Sequence, residues 1–171
     1  QTFALPIWSP LWDFVGKQPG VFKCPADKST VVRGGVRVPR VRSISMSQVF
    51  GQGNWLPSTT WRTYAAIASI VNPAQTFVFI DEHPDGINDA AFAVQCNDAE
   101  TTAARIVDMP GSLHDGACAL SLADGHVEIH RWTGTTIQPA VRYDGNLSLV
   151  IPAGDSWMDV RWLARNTTVK Q

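Results

Sequence analysis

One stretch constrains this chain more than any other: Ala117-Cys118-Ala119-Leu120-Ser121-Leu122-Ala123, closed by Asp124-Gly125 and followed by His126-Val127-Glu128-Ile129-His130-Arg131-Trp132. An Asp-Gly pair flanked by apolar residues is a strong short-range hairpin signal, because both residues tolerate the positive φ angles of a type I′ turn. The first arm is small and apolar throughout, as a buried strand is. The second alternates, with Val127 and Ile129 facing one way and His126, Glu128, His130 and Trp132 the other. His114 stands ten residues ahead of Asp124, so polar groups gather at both ends of the first arm.

Other segments extend this into a sheet. Thr76-Phe77-Val78-Phe79-Ile80 is a continuous apolar run and predicts a central strand buried on both faces. Further strands are expected at residues 90–94, 103–107 and 147–151. Residues 31–42 alternate valine and arginine around Gly34-Gly35, which predicts a hairpin. Its four arginines, Arg33, Arg37, Arg40 and Arg42, form one solvated cationic face in this reading, and Pro39 makes the second arm an edge strand. Residues 47–58 read as a glycine- and asparagine-rich loop. A short helix is expected at 61–71, stopped by Asn72-Pro73, and another at 155–163 with Asp155 or Ser156 as N-cap. Pro6, Pro10, Pro19 and Pro25 leave residues 1–20 an irregular extension with at most one helical turn, at residues 12–15. The expected architecture is α+β: mainly antiparallel sheet with a few short helices, in one domain over residues 1–171.

Composition narrows the function classes. A chain of 171 residues can bury its own core. Charged residues are 17% of it and hydrophobic residues 44%, which excludes disorder. A net charge of −1 supplies no field to attract nucleic acid, and no nucleic-acid partner is expected. Nucleotide-binding glycine loops, a Gly-x-Ser-x-Gly elbow and a His-Glu-x-x-His pair are all missing from the sequence. The tryptophans, Trp8, Trp12, Trp55, Trp61, Trp132, Trp157 and Trp162, most simply fill a loop-rich core; an exposed pair would instead make a platform for a glycan. The cysteines, Cys24, Cys96 and Cys118, form no Cys-x-x-Cys pair. Cys118 reads as a buried free thiol.

His114, nine intervening residues and then Asp124-Gly125 resemble the signature of the bacterial prepilin-type processing-associated proteins named for a His-X9-Asp-Gly motif. Val21-Phe22-Lys23-Cys24-Pro25-Ala26-Asp27, Arg42-Ser43-Ile44-Ser45-Met46, Phe79-Ile80-Asp81-Glu82-His83-Pro84-Asp85 and Trp162-Leu163 are similar to further phrases of that family, so the resemblance spans roughly residues 20 to 165. It implies the globular head of a pseudopilin: a structural subunit of a cell-envelope filament or secretion apparatus, extracytoplasmic, with other pilin-like subunits or further copies of itself as partners. Such proteins begin with a long apolar helix. No run of about 18 apolar residues and no signal-type start occurs here, so membrane attachment is expected only through a helix absent from these residues. The head would then carry an uncovered apolar strip suited to self-association. An extracytoplasmic location would also permit a Cys24–Cys96 disulfide.

The chemistry-bearing residues are the histidines and their acidic neighbours. If the 77–80 and 117–123 strands are adjacent, Asp81, Glu82, His83, His114, Asp124 and His126 could meet at one sheet edge. Most plainly, His114 then hydrogen-bonds the Asp124 turn or the 81–83 loop. Alternatively Asp81, His83, His114, Asp124 and His126 ligate zinc, or Asp81, Asp85, Asn88 and Asp89 supply oxygens to calcium. Some secretion pseudopilins hold calcium, which favours that option by resemblance. A third possibility is a hydrolase. Asp81, Glu82 and Asp124 could act as the carboxylate pair of a glycoside hydrolase, with His114 nearby, or a histidine-bound metal could activate water as an esterase does. A carbohydrate-binding module using tryptophan platforms is the remaining alternative.

Overall fold

The apolar run at 77–80 lies at the centre of the largest sheet, as its composition demands. In the computed structural model, which describes residues 9–51, 55–57 and 59–171, this strand (β4, Phe77–Asp81) is flanked by β3 (Ile44–Ser47) and β7 (Ala117–Leu122). β5 (Ala91–Phe92) and β8 (Val127–Arg131) form the edges, in the order β5-β3-β4-β7-β8. All pairings are antiparallel except β3 with β5. Two smaller pairs stand apart: β1 (Thr30–Arg33) with β2 (Val36–Pro39), and β6 (Arg105–Ile106) with β9 (Ile151–Pro152). One α-helix, α1 (Trp157–Arg165), closes the core among the described residues. The fold class is therefore the expected α+β. No helix of the described residues is long and apolar enough to cross a membrane. Trp8 and the rest of residues 1–8 lie outside the described residues, as do 52–54 and 58.

Register sorts the sheet into two columns of side chains, because residues paired across strands share a face. Ile80 pairs with Leu120, which pairs with Glu128; Cys118 pairs with His130. This inner column packs with Phe77, Phe92, Trp132, Val160 and Leu163 into the core. The other column runs Ile44–Asp81, Met46–Phe79–Ser121–Val127 and Ala119–Ile129. It faces a groove of about 670 Å³, whose far wall is Pro10, Leu11, Val15, Val21 and Phe22. β4 is thus central but closed on one face only: Phe79 is half-buried, contrary to the expectation of burial on both sides.

Local sequence decides several details differently from its first appearance. Of the Asp124-Gly125 pair only the glycine takes positive φ (98°), and Gly125 donates back to the Leu122 carbonyl (3.0 Å). That is a three-residue loop ending in a left-handed glycine, in place of the type I′ turn. The type I′ signature belongs to Gly34 (φ 56°) and Gly35 (φ 79°) of the β1–β2 hairpin. There Arg33 pairs with Val36 and Arg37 with Val32, so the two arginines lie on opposite faces. Arg40 donates to the Pro84 carbonyl (2.5 Å) and Arg42 to Ile44, Ser45 and Asp89, so the four make no common cationic face.

The helix expected at 61–71 is a single 3-10 turn, Ile67–Ser69. Ala65, Ala66 and Ile67 are exposed, and the two buried residues of the segment, Tyr64 and Ile70, stand six apart and would not share one helical face. Residue 61 bridges Lys170 instead. Ser156 is the N-cap of α1, yet neither candidate side chain caps it. Asp155 accepts four hydrogen bonds from Thr135 and Thr136, and Ser156 accepts one from Ile137. Both anchor the 135–137 loop to the helix start. Among the described tryptophans only Trp55 is exposed, so no tryptophan pair forms a platform. Trp132, Trp162 and His130 form an aromatic cluster at the margin of the core, with His130 and Trp162 stacked, their centroids 3.5 Å apart and their planes at 16°.

Candidate metal site

The end of β4 that carries Asp81 is built by close backbone approaches. Ser43, just ahead of β3, accepts the Glu82 amide at its carbonyl (2.8 Å) and the Cys24 amide at its hydroxyl (2.7 Å). One residue thereby draws the 22–27 loop against the end of the central strand. Gly111 donates to the Asp81 carbonyl (2.7 Å), and a Cβ on Gly111 would stand 3.2 Å from Asp81 Cβ, so only glycine packs there without displacement. The chain then turns tightly over 112–117. Gly116 donates to Ser112 (3.1 Å), while Asp115 and Gly116 both take positive φ. That turn delivers His114 to the same place.

Three side chains converge. His114 Nε2 is 3.2 Å from Cys24 Sγ and 3.8 Å from Asp81 Oδ2. All three ligand atoms lie within 4.8 Å of one another, and together they could hold a metal ion. Cys24 and Asp81 are buried, whereas the His114 side chain is 42% exposed. Burial pushes the Cys24 thiol up from its ordinary value, and the Asp81 and Asp27 carboxylates add to the rise against the backbone amides of Ala26 and Asp27. Burial likewise raises Asp81, opposed by the Ala119 amide and the His114 imidazole.

The other candidates are elsewhere. Asp124 and His126 sit at the far end of β7, paired with each other (2.6 Å) on the exposed hairpin. Asp81 lies one residue past the Ile80–Leu120 pair, so roughly 15 Å of strand separates the two ends at the usual rise. The expected meeting of six residues at one edge is therefore wrong: antiparallel pairing of β4 with β7 sends Asp81 to the His114 end, away from the turn. His114 is tied to the 81–83 loop and not to Asp124.

Glu82 points inward. Its Oε2 accepts from Ser45, its Oε1 has no partner, and burial pushes its acid up to about 8. A carboxylate pair of Asp81, Glu82 and Asp124 for glycoside hydrolysis is thus not assembled. His83 is fully buried; its Nδ1 accepts from the Asp85 amide (3.2 Å), so its Nε2 donates to Pro139 (3.1 Å). Burial lowers its pKa and keeps it neutral. Asp85 accepts the amides of Arg142, Tyr143 and Gly145, which together hold it below the usual carboxylate range despite burial. Asp89 accepts from Ala91 (2.7 Å). The oxygen set suggested for calcium is therefore committed to loop anchoring at these two carboxylates.

Cys24 is the member of this group that sequence reasoning missed. It is a free thiol, as are Cys96 and Cys118, and the Cys24–Cys96 disulfide that an extracytoplasmic location would permit does not form. Cys96 Sγ faces the carbonyls of Val94 and Ala164, and burial pushes it up to about 12. The usable signal was the Phe22-Lys23-Cys24-Pro25 phrase, which meets the Ser43, Asp81 and His114 phrases in space. Comparison with family models, curated proteins and solved structures returns no match for this chain.

Proposed function

We propose that this chain is a pseudopilin-like structural subunit of a bacterial cell-envelope filament or secretion apparatus, extracytoplasmic, acting by assembly with further copies of itself. The open sheet face carries the proposal. Ile44, Met46, Phe79, Ala119, Val127 and Ile129 line it, and Val127 and Ile129 are 68% and 70% exposed. β-branched residues on a strand favour burial against a neighbour, and a contiguous apolar face beside a groove is the usual mark of an interaction surface. The resemblance in the His114, Asp124 and Cys24 phrases supports the same reading.

Sedimentation velocity over a concentration series tests it. Self-association is expected for the unaltered chain, and a monomer with unchanged far-ultraviolet circular dichroism for Ile129→Arg. A strictly monomeric unaltered chain at the highest concentrations would overturn the assembly reading. The second reading is a metal-dependent esterase, favoured over a glycosidase by the solvent-facing side of the Cys24–Asp81–His114 group. Turnover of chromogenic esters, lost on chelation, would establish it.

A further inference from the structure

We infer that Cys24, Asp81 and His114 form a three-ligand site for a zinc-class divalent ion, with a fourth position open to solvent. This stands independently of the assembly reading. Ligand atoms held by a tetrahedral zinc at about 2.0–2.3 Å stand roughly 3.3–3.6 Å from one another. The observed 3.2 Å between His114 Nε2 and Cys24 Sγ, and 3.8 Å to Asp81 Oδ2, bracket that spacing without an ion to impose it.

The alternative use of these residue types is a Cys-His-Asp relay, in which the thiol and the carboxylate engage opposite ring nitrogens. Here both approach the same nitrogen, Nε2, which can bond only one of them at a time. Convergence on one side of the ring is what a central cation needs and a relay does not. A dication at the centre would stabilise thiolate and carboxylate together.

Donor chemistry selects the ion. Thiolate, imidazole and carboxylate suit zinc or cobalt, whereas calcium takes six or more oxygens. The protein supplies three ligands from buried or half-exposed positions, and the exposed side of His114 leaves room for water as the fourth. The ion would clip three segments distant in sequence: the 22–27 loop, the end of β4 and the turn before β7. The histidine of the His114–Asp124 spacing thereby acquires a partner its own motif does not contain.

The unaltered chain, reduced and stripped with chelator, is titrated with Co(II) and read by absorbance. A near-ultraviolet thiolate-to-cobalt band saturating at one equivalent and displaced by Zn(II) is expected, together with a rise in melting temperature on adding Zn(II). The band should survive Cys96→Ala and disappear in Cys24→Ser and His114→Ala; Asp81→Asn should weaken cobalt binding at least tenfold. A folded unaltered chain that gives no thiolate band overturns the site, whatever the variants do. So does a band that persists undiminished in folded Cys24→Ser.

Discussion

The two faces of the five-stranded sheet are made by alternate residues of the same strands, yet they have different fates. On β7, Cys118, Leu120 and Leu122 are buried in the core cluster that includes Phe92, Val160 and Leu163, while Ala119 and Ser121 look into an open groove. On β8 the contrast is inverted with respect to hydropathy: Val127 and Ile129 are exposed, and Glu128 and His130 on the other face are half-buried. The inner face is finished with polar anchors, among them Asp159, whose carboxylate takes the Thr133 and Gly134 amides and the Thr133 hydroxyl. Among the described residues the outer face has none of comparable depth apart from Asp81 at its end. Hydrophobicity on this sheet therefore serves folding on one face and, on the other, the contact proposed above.

The sharpest way to break that division is at Leu120, 1% exposed. Leu120→Ala should lose about 2–5 kcal/mol by urea unfolding; a loss below about 1 kcal/mol would mean that the inner face is not the folding core. Next comes the buried acid Glu82. Unfolded, it ionises near 4.5; folded, only near 8. Between these values the native state holds the extra proton, so stability falls as pH rises through that window and then levels. Glu82→Gln should remove this decline and gain roughly 5 kcal/mol near pH 9 with almost no change below pH 4.5, read from melting curves against pH. Asp159→Ala should cost about 1–3 kcal/mol by stripping buried amides of their acceptor, with amide exchange accelerated first at Gly134. Smallest in stability, Ile129→Thr should stay within about 0.5 kcal/mol while weakening self-association. If it unfolds the chain instead, the two faces are not separate.

What could be read beforehand was what neighbouring residues settle among themselves. The apolar run at 77–80, the Gly34-Gly35 turn and the 117–132 hairpin each carry their own pattern within a few residues, and each folds nearly as read. The site was legible only in part. Asp81 and His114 stood out as polar groups flanking strands, but which end of β7 meets Asp81 depends on strand direction, which no local spacing encodes. Cys24 lies 90 residues from His114 in sequence and reaches it through Ser43, a residue with no metal chemistry of its own. The 61–71 segment misled for the converse reason: its alanines favour a helix, but its two buried residues, Tyr64 and Ile70, stand six apart and share no helical face.

The stack of His130 on Trp162 beside Trp132 has an optical consequence. A protonated imidazole quenches an excited indole by accepting its electron, and burial holds the His130 pKa below its ordinary value. The emission of these two tryptophans should therefore dim at a lower pH than a free imidazole would impose, giving the chain an optical reporter on this aromatic cluster.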